Sequence, residues 1–266
     1  MKTTSIAAML ALTTSACVTG ELLVEVTDVS DGAAPDTSMV EMKAVTFMMG
    51  CNASLDAQCD PDESPYHAVA MATFFIGRTE VTQAAYRDCI DAGVCTTPGT
   101  VPAECRWDPD NRGQFPVTCV THAQAAQYCA WKQGRLPTEA EWERASRGAE
   151  GRLYPWGNEP ADCTRAQTSE CGAELVEVGT LAAGATPDGV YDMAGNAFEW
   201  VADWYEAGYY EVTVSENPSG PSNSAVGGRV LRSGSVTYAA RYSRVSNRAA
   251  QTPEEFRFSV GFRCAR

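Results

Sequence analysis

Eleven cysteines, two histidines and a late cluster of arginines are the residues whose types and spacing bear most directly on chemistry. Setting aside Cys17 leaves an even number of thiols, which suits a disulfide framework in an oxidising compartment. Pairing by proximity couples Cys51 with Cys59, Cys89 with Cys95, Cys105 with Cys119 and Cys163 with Cys171, and leaves over Cys129 and Cys264. Spacing alone does not fix that connectivity. A zinc site is disfavoured, because no Cys-x-x-Cys occurs and only His67 and His122 could add nitrogen ligands. Those two histidines and a carboxylate would be the minimum set for non-haem iron. They lie in separate segments, however, and His122 stands at a helix start, where a polar surface residue is ordinary. Ser235 lies in Ser-Gly-Ser without the Gly-x-Ser-x-Gly elbow of a hydrolase, and neither histidine is placed to serve it. From Arg229 to Arg266 there are eight arginines against two acids, Glu254 and Glu255. Arginine suits carboxylate and sulfate recognition, so Arg241, Arg244 and Arg248 could line an anion- or peptide-binding groove. Ion pairing with acids elsewhere in the chain is the simpler outcome.

The elements that must position these residues follow from local signals. With 266 residues and 44% apolar content, the chain can bury a sizeable core. A net charge of −14 argues against nucleic acid or an anionic membrane surface as partner. Lys2, the apolar run Ile6 to Leu12 and small residues up to Cys17 read as a secretory signal over residues 1–16. Ser15-Ala16-Cys17 looks like a bacterial lipobox, with Cys17 as the lipidated first residue of the mature chain and 17–37 as a flexible acidic tether. The expected location is thus a membrane-anchored lipoprotein on the periplasmic face or cell surface. Residues 38–266 read as one domain. Met39 to Met49 and His67 to Arg78 have strand composition, separated by a polar loop. A helix opened by Glu80-Val81-Thr82-Gln83 is expected to run to about Ala92, stopped by Gly93. A second follows the capping-box pattern Thr121 to Gln124, with Gly134 as its stop. Thr138 and Glu141 form another capping box, after Pro137 has blocked any preceding helix. That third helix, ending at Gly148, should carry Trp142 into the core. Strand-like segments alternate with turns from Arg229 onward, and no internal repeat is visible.

Several stretches go beyond local signals. Gly134-Arg-Leu-Pro-Thr-Glu-Ala-Glu-Trp142, Tyr154-Pro-Trp-Gly-Asn158, Asp188-Gly-Val-Tyr-Asp-Met-Ala-Gly-Asn-Ala-Phe-Glu-Trp200 and the terminal Gly261-Phe-Arg-Cys264 resemble, in order, motifs of the sulfatase-modifying factor (formylglycine-generating enzyme) family. The resemblance implies an α+β, C-type-lectin-like fold of mixed and low regular secondary structure, stapled by disulfides. It implies a bridge from Cys129 to Cys264. Catalytic members hold copper on two nearby cysteines, as soft Cu(I) prefers. Aligning on the Gly-Ser start puts Tyr238 and roughly Ser243 at those positions, and no cysteine occurs between 172 and 263. Neither copper nor iron is therefore expected as a cofactor. Calcium is. The family pattern assigns it side-chain oxygens of Asp192 and Glu199 and the carbonyls of Gly195 and Ala197; a turn that merely shapes the chain is the alternative. The functional expectation is an exported, lipid-anchored binding or structural module for an extracytoplasmic peptide, glycan or protein. A metal-dependent oxidase using other ligands is the alternative.

Overall fold

Each of the three main helices starts where a threonine can cap it. The structure, a computed structural model, describes residues 38–266; the signal, Cys17 and the tether lie outside the described residues. In α1 (Gln83–Asp91) the Thr82 side chain accepts from the Ala85 amide. In α2 (His122–Trp131) and α3 (Glu139–Arg147) the boxes Thr121/Gln124 and Thr138/Glu141 are both reciprocal. Such caps satisfy amides that have no partner inside the helix. Gly148 ends α3 at φ 69°, a conformation that glycine adopts without strain.

The two expected long strands are each divided. β1 (Met39–Met42) and β2 (Val45–Met49) run antiparallel to β4 (Phe74–Gly77) and β3 (His67–Met71) respectively. The break falls at Lys43–Ala44 opposite Ala72–Thr73, where the Ala44 amide donates to the Thr73 hydroxyl instead of to a neighbouring strand. A ribbon that bends there can bury Val40, Met42 and Ile76 in one cluster and Phe47, Met49 and Val69 in another.

The main sheet has the order β7–β6–β5–β8. It is built from β5 (Phe198–Trp204), β6 (Arg229–Arg232), β7 (Ala249–Gln251) and β8 (Val260–Phe262), with the one-turn helix α4 (Tyr209–Val212) between β5 and β6. β8 joins β5 in parallel and the other pairs are antiparallel. α2 packs on this sheet through Tyr128, Trp200, Phe262 and their neighbours. α3 carries Trp142, wholly buried as expected, into a cluster with Val190, Met193 and Val201.

Five disulfides join the pairs that proximity suggested, together with Cys129–Cys264. The last ties α2 to the terminal segment across a separation of 135 residues. A loop that long contributes about 4–5 kcal/mol on the chain-entropy account. With short strands and looping connections between them, this is a mixed fold of low regular secondary structure.

Candidate functional site

The segment between β6 and β7 forms one wall of a groove that residues of all four strands of the main sheet also line. Its cavity is about 510 Å³. Phe198, Leu231, Tyr238, Tyr242, Phe256 and Phe258 supply the apolar lining. The rings interlock edge to face, Phe198 with Tyr238 at 5.2 Å and Tyr238 with Tyr242 at 5.4 Å, an arrangement that aromatic quadrupoles favour. Tyr238 is the most open of them, 39% exposed. Arg241 stands at the rim with its guanidinium over the Tyr242 ring, 4.1 Å from the centroid.

Tyr238 and Ser243 are the residues that alignment on the Gly-Ser start sets near the two thiol positions of the resemblance. Ser243 is fully buried, with its hydroxyl lacking a partner. All ten cysteines of the described region are in disulfides, so no thiol faces the groove. A phenol and a sealed hydroxyl do not fit the soft-ligand requirement of Cu(I).

Of the three arginines that sequence reasoning offered to the groove, Arg248 lines it but has its guanidinium committed to an acid, and Arg244 is engaged elsewhere. Arg244 is buried and holds Glu63 through two hydrogen bonds of 2.8 Å, and Asp56 with them. Arg248 forks onto Glu139 at 2.8 and 3.0 Å, its guanidinium 4.3 Å from the Tyr210 ring. Arg232 reaches Glu139 and Glu143, both at 2.8 Å. Burial alone would raise the Glu139 pKa, but Arg248 and Arg232 outweigh it and hold the carboxyl below the usual range. The arginine excess is thus largely answered by ion pairs with distant acids. Arg241 alone of the three stays exposed. The sulfurs and carboxylates of Cys51, Asp56, Cys59 and Glu63 lie within 4.8 Å of one another, as compact as a metal site. The two sulfurs are bonded to each other, and Arg244 already supplies the positive charge.

The four residues assigned to calcium do not form one ion shell. Glu199 spends both oxygens on Arg263, at 2.7 Å each, and also accepts from the Trp142 indole at 2.8 Å. The carbonyls of Asp192 and Gly195 both accept from the Ser233 hydroxyl. Ala197 is buried at the entry to β5. What Asp192 does have is a second carboxylate, Glu80, wholly enclosed. One Glu80 oxygen accepts from the Asn196 amide at 2.9 Å, and the other has no partner. Burial, then repulsion from Asp192 and Glu199, pushes the Glu80 pKa well up. Burial also raises Asp192, against the pull of the Gly179 amide and Arg263. A proton that Glu80 keeps is in reach of the Asp192 carboxylate, which links the two groups. Glu80 was missed as a site residue, because its place two residues before the capping Thr82 marks only a helix start.

The histidines have separate partners. A carbonyl can only accept, so His122 Nε2 donates to the Val201 oxygen at 3.0 Å. Burial and Arg229 pull the His122 pKa down to about 4, which keeps the ring neutral. His67 contacts the Pro65 carbonyl and tilts against Tyr210. No carboxylate bonds to either ring among the described residues, and the pair does not assemble an iron set.

Comparison with known proteins agrees with this geometry. The family described as "Sulfatase-modifying factor enzyme 1-like domain" matches residues 27–266. The formylglycine-generating enzyme of Streptomyces coelicolor is 36% identical over 180 residues, covering 62% of this chain and 56% of that relative, so the chain spans little over half its length. The "Inactive C-alpha-formylglycine-generating enzyme 2" of Bos taurus is 33% identical over 162 residues, covering 57% of this chain and 50% of the relative. Among solved structures, PvdO from Pseudomonas aeruginosa superposes with a TM-score of 0.73 at 27% identity, over 86% of this chain and 93% of that one. The chain belongs to the sulfatase-modifying factor enzyme 1-like domain family.

Proposed function

We propose that this chain is a non-catalytic member of the family that binds an extended peptide in the groove beneath Tyr238 and Tyr242. The observation that carries the reading is an aromatic pocket at the family's thiol position, with Tyr238 in place of one thiol and every domain cysteine in a disulfide. β7 is an edge strand and lines the groove from Ala249 to Gln251, so its outer side offers backbone pairing to an extended chain. The rings of Tyr238, Tyr242, Phe256 and Phe258 take up side chains, and Arg241 meets an acidic group at the rim. Export and lipid anchoring through Cys17 belong to the same reading, supported by the N-terminal pattern and the disulfide content. The calcium expected from the family has Glu80 and Asp192 to hold it here, two carboxylates with one buried oxygen lacking a partner. Its contribution would be to neutralise that pair.

The test has two arms. Peptides selected from a random library on the immobilised protein should lose binding by about tenfold or more in Tyr238→Ala, the order expected for removing one aromatic anchor. The copper-loaded protein should leave a cysteine-containing peptide unoxidised under oxygen. Oxidation of that peptide, or selection of glycans and no peptides from parallel libraries, would overturn the reading.

A further inference from the structure

A second cavity, of about 710 Å³, lies where α2 and the start of α3 meet the β3–β4 turn and the end of β5. It shares no lining residue with the aromatic groove. Ala126, Ala130, Leu136 and Phe74 make an apolar wall, and polar atoms converge on it from the other side. Arg229 opens β6 with its guanidinium stacked 3.7 Å from the centre of the Trp204 ring. It donates one Nη1 hydrogen bond to the Ala202 carbonyl, and no carboxylate among the described residues pairs with it. Its Nε is sealed without a partner, whereas Nη2 is neither bonded nor sealed and is open to solvent.

His122 lies on the same cavity with its Nε2 hydrogen committed to Val201. The neutral ring therefore carries a lone pair on Nδ1, which has no protein partner and is not sealed. Asn217 accepts from the Ala72 amide through Oδ1, which leaves its Nδ2 hydrogens to donate. Of the other charged lining groups, Glu141 is spent on Arg135 in a bidentate pair at 2.5 Å, and the Arg266 guanidinium lies over the Phe75 ring. Asp203, whose charge acts on Arg229, has its own pKa raised to about 8 by burial, which weakens that pull. Arg229 is thus the charged group that the cavity leaves without a carboxylate ion-pair partner among the described residues.

From this geometry we infer that the second cavity binds a small organic hydroxycarboxylate: Arg229 takes the carboxylate, Nδ1 of His122 accepts from a hydroxyl, and the alanine–leucine wall covers the hydrocarbon face. Guanidinium N–H groups match a carboxylate in geometry and charge. A stacked arginine is already ordered, so little conformational freedom is lost on binding. The acceptor on His122 selects a hydroxyl-bearing ligand over a simple fatty acid.

Sodium glucuronate is a suitable probe, with glucose as the neutral control and sodium chloride at equal ionic strength. In amide NMR titration of the isotopically labelled protein, glucuronate should shift resonances of α2 and of residues 217–229 with a dissociation constant of about 1 mM, typical of a single charged contact with partial burial. Glucose should not. Arg229→Gln should weaken binding by about tenfold or more, the value of a hydrogen bond to a charged group. Ala130→Trp, at an exposed position of α2, should block the cavity in a protein whose spectrum is otherwise native. Equal binding by glucose, unchanged binding in both variants, no shifts at all, or shifts confined to the Tyr238 groove would each overturn the inference.

Discussion

Asp203 makes a quantitative prediction about stability and pH. It lies near the end of β5, 2% exposed, with its carboxyl accepting from the Glu139 amide at 2.9 Å. Burial first, then repulsion from Glu139, pushes its pKa from the ordinary 3.8 to about 8, against the pull of that amide and of Arg248. The folded protein therefore keeps a proton that the unfolded chain releases above pH 3.8. Stability from this group is fully present below the unfolded value, falls as pH rises, and is lost once pH passes the folded value. The slope is about 1.4 kcal/mol per pH unit, so the loss between pH 5 and pH 8 is about 4 kcal/mol. Asp203→Asn keeps an oxygen for the Glu139 amide and cannot ionise. Urea unfolding with disulfides intact, at intervals from pH 5 to pH 9, should show the variant gaining on the wild type by that amount up to pH 8 and levelling off above it. His122, with its pKa pulled down to about 4, acts with the opposite sign, its contribution being lost as pH falls below the ordinary value. Both proteins carry it, so it cancels in the difference. A difference that stays constant across the range would mean that Asp203 is ionised in the native protein, and the reasoning would fail.

Arg232→Met leaves Glu139 with Arg248 alone and Glu143 with Arg147 alone. Removing one partner of a buried ion pair costs about 3–5 kcal/mol, which denaturant unfolding at neutral pH would register; a loss below about 1 kcal/mol would show the network to be dispensable. Calcium should raise the thermal midpoint of the wild-type protein and chelation should lower it, whereas Glu80→Gln should abolish the response. A calcium response that survives Glu80→Gln but vanishes in Glu199→Gln would return the ion to the sequence-assigned ligands.

What was legible in the sequence was local. The capping threonines and the near-neighbour disulfides involve partners within 14 residues of each other, so composition and spacing suffice. The Cys129–Cys264 bridge came only with the family resemblance. The ion pairs are a different matter. Arg248 meets Glu139 across 109 residues and Arg244 meets Glu63 across 181, and nothing in either neighbourhood marks the partner. Hence pairing was the favoured outcome for the arginine excess, while Arg244 and Arg248 could still be offered to the groove. Glu199 shows the converse. Its motif was recognised, but its partner Arg263, inside the terminal Gly-Phe-Arg-Cys, was seen only as part of a match. Strand composition likewise did not locate the break at Lys43–Ala44, because that depends on what lies opposite.

The same network holds the fold independently of the side chains that line the groove. All nine residues of α3 are buried, including Glu139, Glu141, Glu143, Arg144 and Arg147. Such a helix cannot be held by an apolar face alone. Glu139 ties it to Arg232 on β6 and to Arg248 just before β7, the two ends of the segment that carries Tyr238 and Tyr242. Glu63 and Asp56 anchor the middle of that segment through Arg244. The groove wall is thus fixed at three arginines whose guanidiniums are committed to buried acids, and Tyr238 is left to face the groove without bearing on the scaffold. Two thiols could be exchanged there for a phenol and a buried hydroxyl with the wall unmoved. Membership of the family is accordingly written in the ion pairs and disulfides, and activity in a few side chains that those pairs only position.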